Sequence, residues 1–207
     1  MAGLVEASRV WFGERGRQRF SWRVAEGARP ADLVDRLLDL GLQPYEDDPV
    51  VAAMVLEREP LGTPGVEIRR VATFDDLVAL EETAMESFGF SEEHREATRR
   101  GRSERFERIQ GNTRGDEFVA LVDGHVVGSA GVSYSAAGVY LGGGNVLPAA
   151  RGRGVYRALV RARWDVAVER GTPALVTQAG QMSRPILARL GFRTICEIQA
   201  LVDTSAA

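Results

Sequence analysis

The apolar positions of the chain follow two different periods, one typical of strands and one typical of helices. Asp123-Gly124 joins two of the predicted strands and is a strong signal for a hairpin turn. Beyond residue 65 the pattern predicts strands at Val66–Val71, Phe118–Val122, Val126–Ser133, Val139–Leu147, Ala174–Gln178 and Phe192–Val202. It predicts helices at Phe74–Phe88, Ser91–Gln110, Gly154–Arg170 and Ser183–Leu190.

Two of these helices carry an apolar stripe at helical spacing. Thr73 is suited to cap the first of them, and Gly171 and Pro173 end the second where a helix is expected to end. The stripes consist of Leu77, Leu80 and Met85 in the first helix, and of Val155, Leu159, Ala162 and Val166 in the second. Hairpins followed by strand–helix–strand units indicate an α/β (α+β) fold, with a mixed, mostly antiparallel sheet flanked by helices.

The pattern over the first 65 residues predicts a separate, small strand–helix–strand region. Its elements are Phe20–Val24, Ala31–Leu40 and Val50–Leu56, and turn-forming residues cluster after them at Glu59–Gly65. We therefore expect two regions, residues 1–65 and residues 66–207.

The order of elements in residues 1–65 is similar to that at the C-terminal end of the chain. Leu37–Leu42 parallels Ile186–Phe192, for example. Two interpretations stay open, a degenerate half of a second copy of the main fold and an unrelated appendage. Half a sheet cannot bury its own face, so it is expected to dock on the main domain or on a second copy of the chain, as in a homodimer.

The composition excludes several classes of function. The formal net charge is −3, which argues against a nucleic-acid partner or a basic membrane anchor. All 26 basic residues are arginines, so a lysine Schiff base and a lysine-containing phosphate loop are ruled out. No segment has the roughly 20 apolar residues that a membrane span needs. We expect a soluble, cytoplasmic protein.

The chain has too few cysteines for an intrachain disulfide and too few cysteines and histidines for a set of zinc ligands. Cys196 is the single cysteine, and it lies in an apolar run typical of a buried strand. His94 and His125 have no partners at zinc-ligand spacing. We expect no resident metal ion.

The most informative segment runs from the predicted strand at Val139 into the helix after Gly154. A glycine-containing basic turn, Arg151–Arg157, separates the two elements. Glycines let main-chain N–H groups point inward, and the first amides of a helix have no partner within it. Such a turn is suited to bind a diphosphate, and Arg151, Arg153 and Arg157 add positive charge.

These elements, in this order, resemble the GNAT superfamily, the GCN5-related N-acetyltransferases. The resemblance covers about two-thirds of the chain, from Val66 to Asp203. The phosphate signature of the family is Q/R-x-x-G-x-G/A, and Arg151-Gly152-Arg153-Gly154-Val155-Tyr156 matches it up to the last position. Tyr156 stands where the family usually has glycine or alanine.

The resemblance implies an acyl-CoA-dependent N-acyltransferase that moves the acetyl group of acetyl-CoA directly to the amine of a small molecule or protein. It also implies a sheet splayed around the acyl-CoA cleft, and Gly142-Gly143-Gly144 predicts a bulge at that place rather than a tight loop. The cofactor-binding residues expected on this basis are Asn145, Val146, Leu147, Arg151, Gly152, Arg153, Gly154, Val155, Tyr156 and Arg157.

The catalytic acid and base are not identified by the resemblance. Gly142–Asn145 replaces the glutamate that many members carry on this strand, and Leu187 replaces their tyrosine in the last helix. The substitute candidates are Tyr140, Glu86 and Ser183, each of which also has an ordinary structural interpretation. Two further hypotheses therefore stay open, a catalytically silent acyl-CoA-binding or sensing module and an unrelated nucleotide-binding protein.

Overall fold

The computed structural model describes residues 1–62 and 65–204, so Thr63 and Pro64 of the predicted joint lie outside the described residues. The helices are α1 (Ala2–Gly13), α2 (Leu33–Asp39), α3 (Phe74–Ser87), α4 (Glu92–Arg100), α5 (Arg102–Gln110), α6 (Val155–Glu169) and α7 (Arg184–Arg189). The strands are β1 (Phe20–Ala25), β2 (Gln43–Pro44), β3 (Val50–Leu56), β4 (Glu67–Arg70), β5 (Glu117–Val122), β6 (His125–Ser135), β7 (Gly138–Val146), β8 (Leu175–Ala179) and β9 (Arg193–Asp203).

By packing, the described residues form two units. The first draws on Met1–Met54, Gln178–Ala188 and the C-terminal segment from Arg193, and the second on Val55–Thr177 and Arg189–Phe192. This grouping differs from a division at residue 65, because the last strand of the chain pairs with the first one. Residues from both ends of the sequence thus share the first unit.

The first unit is organised around β9. Strand β1 pairs with it antiparallel over six positions, from Phe20 opposite Asp203 to Ala25 opposite Ile198, and β2 also pairs with it. The core of this unit consists of Val5, Val24, Leu37, Leu42 and Leu201. The sequence pattern did not predict α1, because Val5 is its only buried residue and a single position makes no stripe.

The second unit contains the mixed sheet expected from the sequence. Its strand order is β8-β7-β6-β5-β4, in which β7 and β8 are parallel and the other neighbours antiparallel. Helix α3 packs on one face, where Leu77 and Leu80 meet Val119 and Leu121 of β5. Helix α6 packs against β4–β7. Since Phe118 alternates with Val119 and lines a hollow with Val166 of α6, the two helices cover opposite faces.

Local sequence signals explain some of the helix ends. Thr73 and Asp76 form the reciprocal capping box of α3, as the sequence indicated for Thr73. The single helix predicted over Ser91–Gln110 is wrong, since Gly101 has non-helical dihedral angles and separates α4 from α5. In α6 the predicted stripe is buried at Val155, Leu159 and Val166, and half-buried at Ala162.

Among the described helices, none has the length and apolar character that crossing a membrane requires.

Candidate active site

The turn between β7 and α6 has two glycines in left-handed conformations. Gly152 has φ +76° and Gly154 has φ +83°, and Gly154 is the N-cap residue of α6. A β-carbon at either position would meet no atom within 4 Å, so the space in front of the turn is open. Side chains other than glycine rarely adopt these angles. The sequence Arg-Gly-Arg-Gly therefore specifies the path of this turn.

The main-chain N–H groups of this turn are free. The first bond of α6 runs from the Ala158 N–H to the Gly154 carbonyl, at 3.0 Å. Within the described residues, no acceptor bonds to any of the six consecutive N–H groups from Gly152 to Arg157. These amides lie at the positive end of the helix dipole, an arrangement that is suited to an anion.

The three arginines of the turn differ in their surroundings. Arg153 pairs with Asp123 at 3.6 Å, and both side chains are exposed. The Arg157 guanidinium lies beside Gly62, with Nη1 3.1 Å from the point that a β-carbon there would occupy. Arg151 is exposed and makes no ion pair with any described residue. All three can add to the positive potential at the turn. The exposed Arg153–Asp123 pair contributes little to the stability of the fold.

A bulge interrupts β7 at the triple glycine, which confirms the predicted bulge. Ser129 of β6 lies opposite Asn145 and Gly131 lies opposite Gly142, so β7 has two residues where β6 has one. Gly143 takes φ +58° there. Strand β8 pairs with β7 at Val139 and Tyr140, and the Thr177 hydroxyl donates to the Leu141 carbonyl at 3.2 Å, just before the bulge. The pairing of the two parallel strands thus ends at the position where the resemblance predicted a splayed sheet.

The end of β7 presents main-chain groups to this gap. Leu147 donates its N–H to Val127 of β6 at 2.9 Å, and its carbonyl accepts from Ala150 at 2.9 Å. Both of its groups are therefore used within the fold, which does not favour Leu147 as a main-chain ligand. Alternate residues of a strand direct their N–H and C=O groups to opposite edges, so those of Val146 face away from β6.

Asn145 is buried instead of lying open to a ligand. Its side chain is 5% exposed and donates to Ser129 Oγ at 2.7 Å and to the Gly143 carbonyl at 3.1 Å. The Asn145 Oδ1 atom is buried without a partner. Asn145 therefore ties the bulge to β6.

Tyr156, the departure from the family signature, packs toward the bulge. Its Cε2 atom lies 3.1 Å from the point that a β-carbon on Gly144 would occupy. Burial raises the pKa of the Tyr156 phenol, and the nearby Arg163 opposes that shift. The ring fills the space that the glycine leaves.

Arg163 is a fully buried arginine of α6 beneath the same bulge. It is 1% exposed, and its Nε donates to the Leu159 carbonyl at 2.9 Å and its Nη1 to the Gly131 carbonyl at 3.5 Å. Burial lowers its pKa to about 10, so it stays charged at neutral pH. The sequence contained a signal for it, because position 163 follows the buried Leu159 by one helical turn.

The three catalytic candidates from the sequence are not brought together by any bond among the described residues. Tyr140 is 41% exposed at the last paired position of β7 and β8, where the strands separate. Glu86 is exposed at the C-terminal end of α3. Ser183 belongs to the first packing unit, and its hydroxyl donates to the Gly180 carbonyl at 3.5 Å.

Sequence reasoning missed one carboxylate close to the bulge. Glu117, at the start of β5, lies opposite Gly131 in the sheet, and its Oε1 accepts from Arg105 Nη2 at 3.5 Å. Burial raises the pKa of Glu117, and Arg105 and then Arg163 oppose the shift. No sequence motif marks this residue, because the strand register alone places it beside the glycines. Within the described residues, no three His, Cys, Asp or Glu side chains form a group suited to a metal ion.

Comparisons with known proteins agree with this geometry. The sequence pattern of the acetyltransferase (GNAT) family matches residues 77–192, more than half of the chain. No curated protein matches the sequence significantly.

Solved structures share the fold at low sequence identity. A GCN5-related N-acetyltransferase from Kribbella flavida is 18% identical with a TM-score of 0.68, over 98% of this chain and 74% of that one. A tandem GNAT protein from the clavulanic acid biosynthesis pathway is 15% identical with a TM-score of 0.65, over 97% of this chain and 68% of that one.

A third solved structure matches a smaller share of this chain. The PaiA N-acetyltransferase from Thermoplasma acidophilum, solved in complex with coenzyme A, is 19% identical with a TM-score of 0.54, over 66% of this chain and 98% of that one. The match to the family pattern, the splayed sheet and the open amide turn together show that this chain belongs to the GNAT acetyltransferase family.

Proposed function

We propose that this protein is an acyl-CoA-dependent N-acetyltransferase that moves the acetyl group of acetyl-CoA directly to the amine of a small molecule or protein. The observation that carries the proposal is the run of six unpaired main-chain N–H groups from Gly152 to Arg157. These donors suit the diphosphate of coenzyme A, because an anion at a helix N-terminus is stabilised by both hydrogen bonds and the helix dipole.

The remaining part of coenzyme A has a path along β7. The free main-chain groups of Val146 are suited to bind the amides of the pantetheine arm, as an added strand would do. The thioester would then lie near the bulge, where β7 and β8 have separated. Tyr140, exposed at the start of that gap, is our candidate for protonating the leaving thiolate.

The other candidates have less support. Glu86 stays a proposal for the acceptor side, and Ser183 a proposal for a contact with the coenzyme A arm. Residues 1–65 stay a proposed region of their own, with residues 66–207 as the acetyltransferase region. The wide match to a tandem GNAT protein supports the interpretation of a degenerate second copy. We place the protein in the cytoplasm, acting without a nucleic-acid partner or a resident metal ion.

The experiment is a turnover assay with acetyl-CoA and a panel of amines that includes small polyamines, amino sugars and peptides with free amino groups. We expect release of free coenzyme A thiol and a product heavier by one acetyl group with at least one amine. With acetyl-CoA alone, the protein is expected to carry no acetyl group in its mass spectrum, because transfer is direct. Binding of coenzyme A without thiol release across the panel would instead identify a silent binding or sensing module.

A further inference from the structure

Glu117 is directed to the face of the sheet on which α3 packs. Val119, two residues later in β5, meets Leu77 and Leu80 of α3, and side chains two residues apart in a strand share a face. Arg105 of α5, which bonds Glu117, lies on the same side as α3, because both Arg105 and Arg102 bond Glu81 of that helix. Glu117 is therefore separated by the sheet from the main body of α6.

The carboxylate extends from β5 across the neighbouring strand. Glu117 Oε2 lies 2.8 Å from the point that a β-carbon on Gly131 would occupy, and Glu117 Cδ lies 3.3 Å from it. A side chain at position 131 would thus displace the carboxylate. Because residue 131 is a glycine, the Glu117 carboxylate has room to extend over β6.

A second glycine continues the same row toward the bulge. Gly142 of β7 lies opposite Gly131, and a β-carbon on Gly142 would meet no atom within 4 Å. Neighbouring strands are about 4.8 Å apart, so the open space above Gly142 begins one strand from the carboxylate. A carboxylate at that distance can reach a bound amine by a direct hydrogen bond or through one water molecule.

The carboxylate is reachable and held in place. Its side chain is 29% exposed, and Arg105, which holds it, is 31% exposed. Arg105 is held in turn by Glu81, a 1% exposed side chain that bonds Arg105 at 3.1 Å and Arg102 at 2.6 Å. This network of charges fixes the direction of the carboxylate, although part of it stays open to solvent.

We propose that Glu117 is the general base of the transferase, which takes a proton from the acceptor amine in the open space above Gly142. The proposal rests on the function proposed above. An ammonium form of the acceptor gives one proton to the Glu117 carboxylate, directly or through one water. The nitrogen lone pair then forms the new bond to the acetyl carbonyl carbon, and the carbon–sulfur bond breaks with its electron pair on sulfur. Tyr140 protonates the thiolate and is restored by the second N–H proton of the acceptor, and Glu117 returns its proton to solvent.

The electrostatic surroundings suit this role. Burial raises the pKa of Glu117, which makes it a stronger base than an exposed glutamate. Arg105 from α5 and Arg163 from α6 limit that rise, and Asp116, the preceding residue, adds to it. The result is a carboxylate that accepts a proton more readily than an exposed glutamate does.

The test compares wild type with Glu117→Gln, which keeps the shape of the side chain, and with Glu67→Gln as a matched control. Glu67 is an exposed strand glutamate with no ion pair to a described residue. We expect Glu117→Gln to lower kcat by a factor of about 100 or more and to remove the acidic limb of the kcat/KM profile against pH. The coenzyme A dissociation constant is expected to change by less than about twofold, and Glu67→Gln to behave as wild type.

Gly131→Ala is the second variant, because it displaces the carboxylate without removing it. We expect a lower kcat, unchanged coenzyme A affinity and native circular dichroism. Glu117→Gln with at least a third of wild-type kcat and an unmoved acidic limb would overturn the assignment while leaving the transferase proposal intact. A wild-type protein that acetylates no amine would overturn both.

Discussion

Tyr156 and Gly144 are packed against each other, with Tyr156 Cε2 3.1 Å from the point that a β-carbon on Gly144 would occupy. This contact joins the first turn of α6 to the bulge of β7. The turn proposed to bind the diphosphate and the strand proposed to hold the pantetheine arm are thus in contact through this pair of residues. The large residue at position 156 is accommodated because position 144 has no side chain.

The first prediction concerns this pair. Gly144→Ala forces the ring to move by a few tenths of an ångström, so we expect the coenzyme A dissociation constant to rise about fivefold. Adding Tyr156→Ala, the small residue usual in the family, is expected to restore affinity to within about twofold of wild type. Isothermal titration calorimetry measures both. Gly3→Ala in α1 is the control, because a β-carbon there meets no atom within 4 Å. A double variant no better than Gly144→Ala would refute the packing argument.

The two ends of α6 provide a matched pair for the anion-binding turn. Gly154 precedes the helix with φ +83°, and Gly171 follows it with φ +71°. At both positions a β-carbon would meet no atom within 4 Å. Alanine at either position should lower the free energy of unfolding by about 1–2 kcal/mol, because the left-handed conformation is strained for it. Only Gly154→Ala should weaken coenzyme A binding, by about tenfold or more. Equal losses of affinity in both variants would show that the effect is one of general stability.

Asp76 tests the capping box that begins α3. Its Oδ2 accepts from the N–H groups of Ala72 and Thr73, and its Oδ1 from Arg69 at 2.7 Å. We expect Asp76→Asn to lower the free energy of unfolding by about 1–2 kcal/mol at pH 7. The exposed neighbour Asp75 is the control, and Asp75→Asn should change stability by less than about 0.5 kcal/mol.

The effect of Asp76 should also depend on pH. Burial of Asp76 works against its ionisation, but hydrogen bonds from Thr73, Ala72 and Arg69 lower its pKa overall. The ionised carboxylate therefore adds stability above the ordinary pKa of aspartate, and this stability is lost as the pH falls through the lowered value. The difference in the free energy of unfolding between wild type and Asp76→Asn, measured by urea denaturation, is expected to shrink in acid. A gap independent of pH would contradict the role of the carboxylate.

Glu117 should show the opposite dependence of stability on pH. Its pKa in the folded protein is raised, so its ionised form costs stability, and this cost develops as the pH rises from the ordinary pKa of glutamate through the raised value. The melting temperature of Glu117→Gln minus that of wild type is expected to be larger at pH 8 than at about pH 4. Glu67→Gln is expected to show no such change between the two pH values. A difference that falls with pH would show that Glu117 stabilises the fold as an anion, which does not suit a base.

Much of the second unit could be predicted from the sequence, because its signals are local. Asp123-Gly124 does join β5 and β6, with Asp123 at φ +52°, and Thr73 does cap α3. The Arg151–Arg157 turn depends on glycines whose conformational freedom is visible in the sequence. The triple glycine likewise predicted the bulge, since a strand without side chains tolerates an irregular ladder.

The features that could not be predicted depend on contacts between distant residues. Glu117 is brought beside Gly131 by the register of β5 and β6, which no motif encodes. The grouping of β9 with β1 needs knowledge of pairing between the two ends of the chain. The break at Gly101 was missed because the polar pattern is similar on both sides of it.

The most direct test of the whole account is a titration of the nitrogen-15-labelled protein with coenzyme A, followed by amide NMR. The account predicts that the amides from Gly152 to Arg157 shift most, that Val146 also shifts, and that Gly171 at the far end of α6 does not. Saturable binding that leaves the amides of residues 152–157 unmoved, or no binding at all, would contradict it.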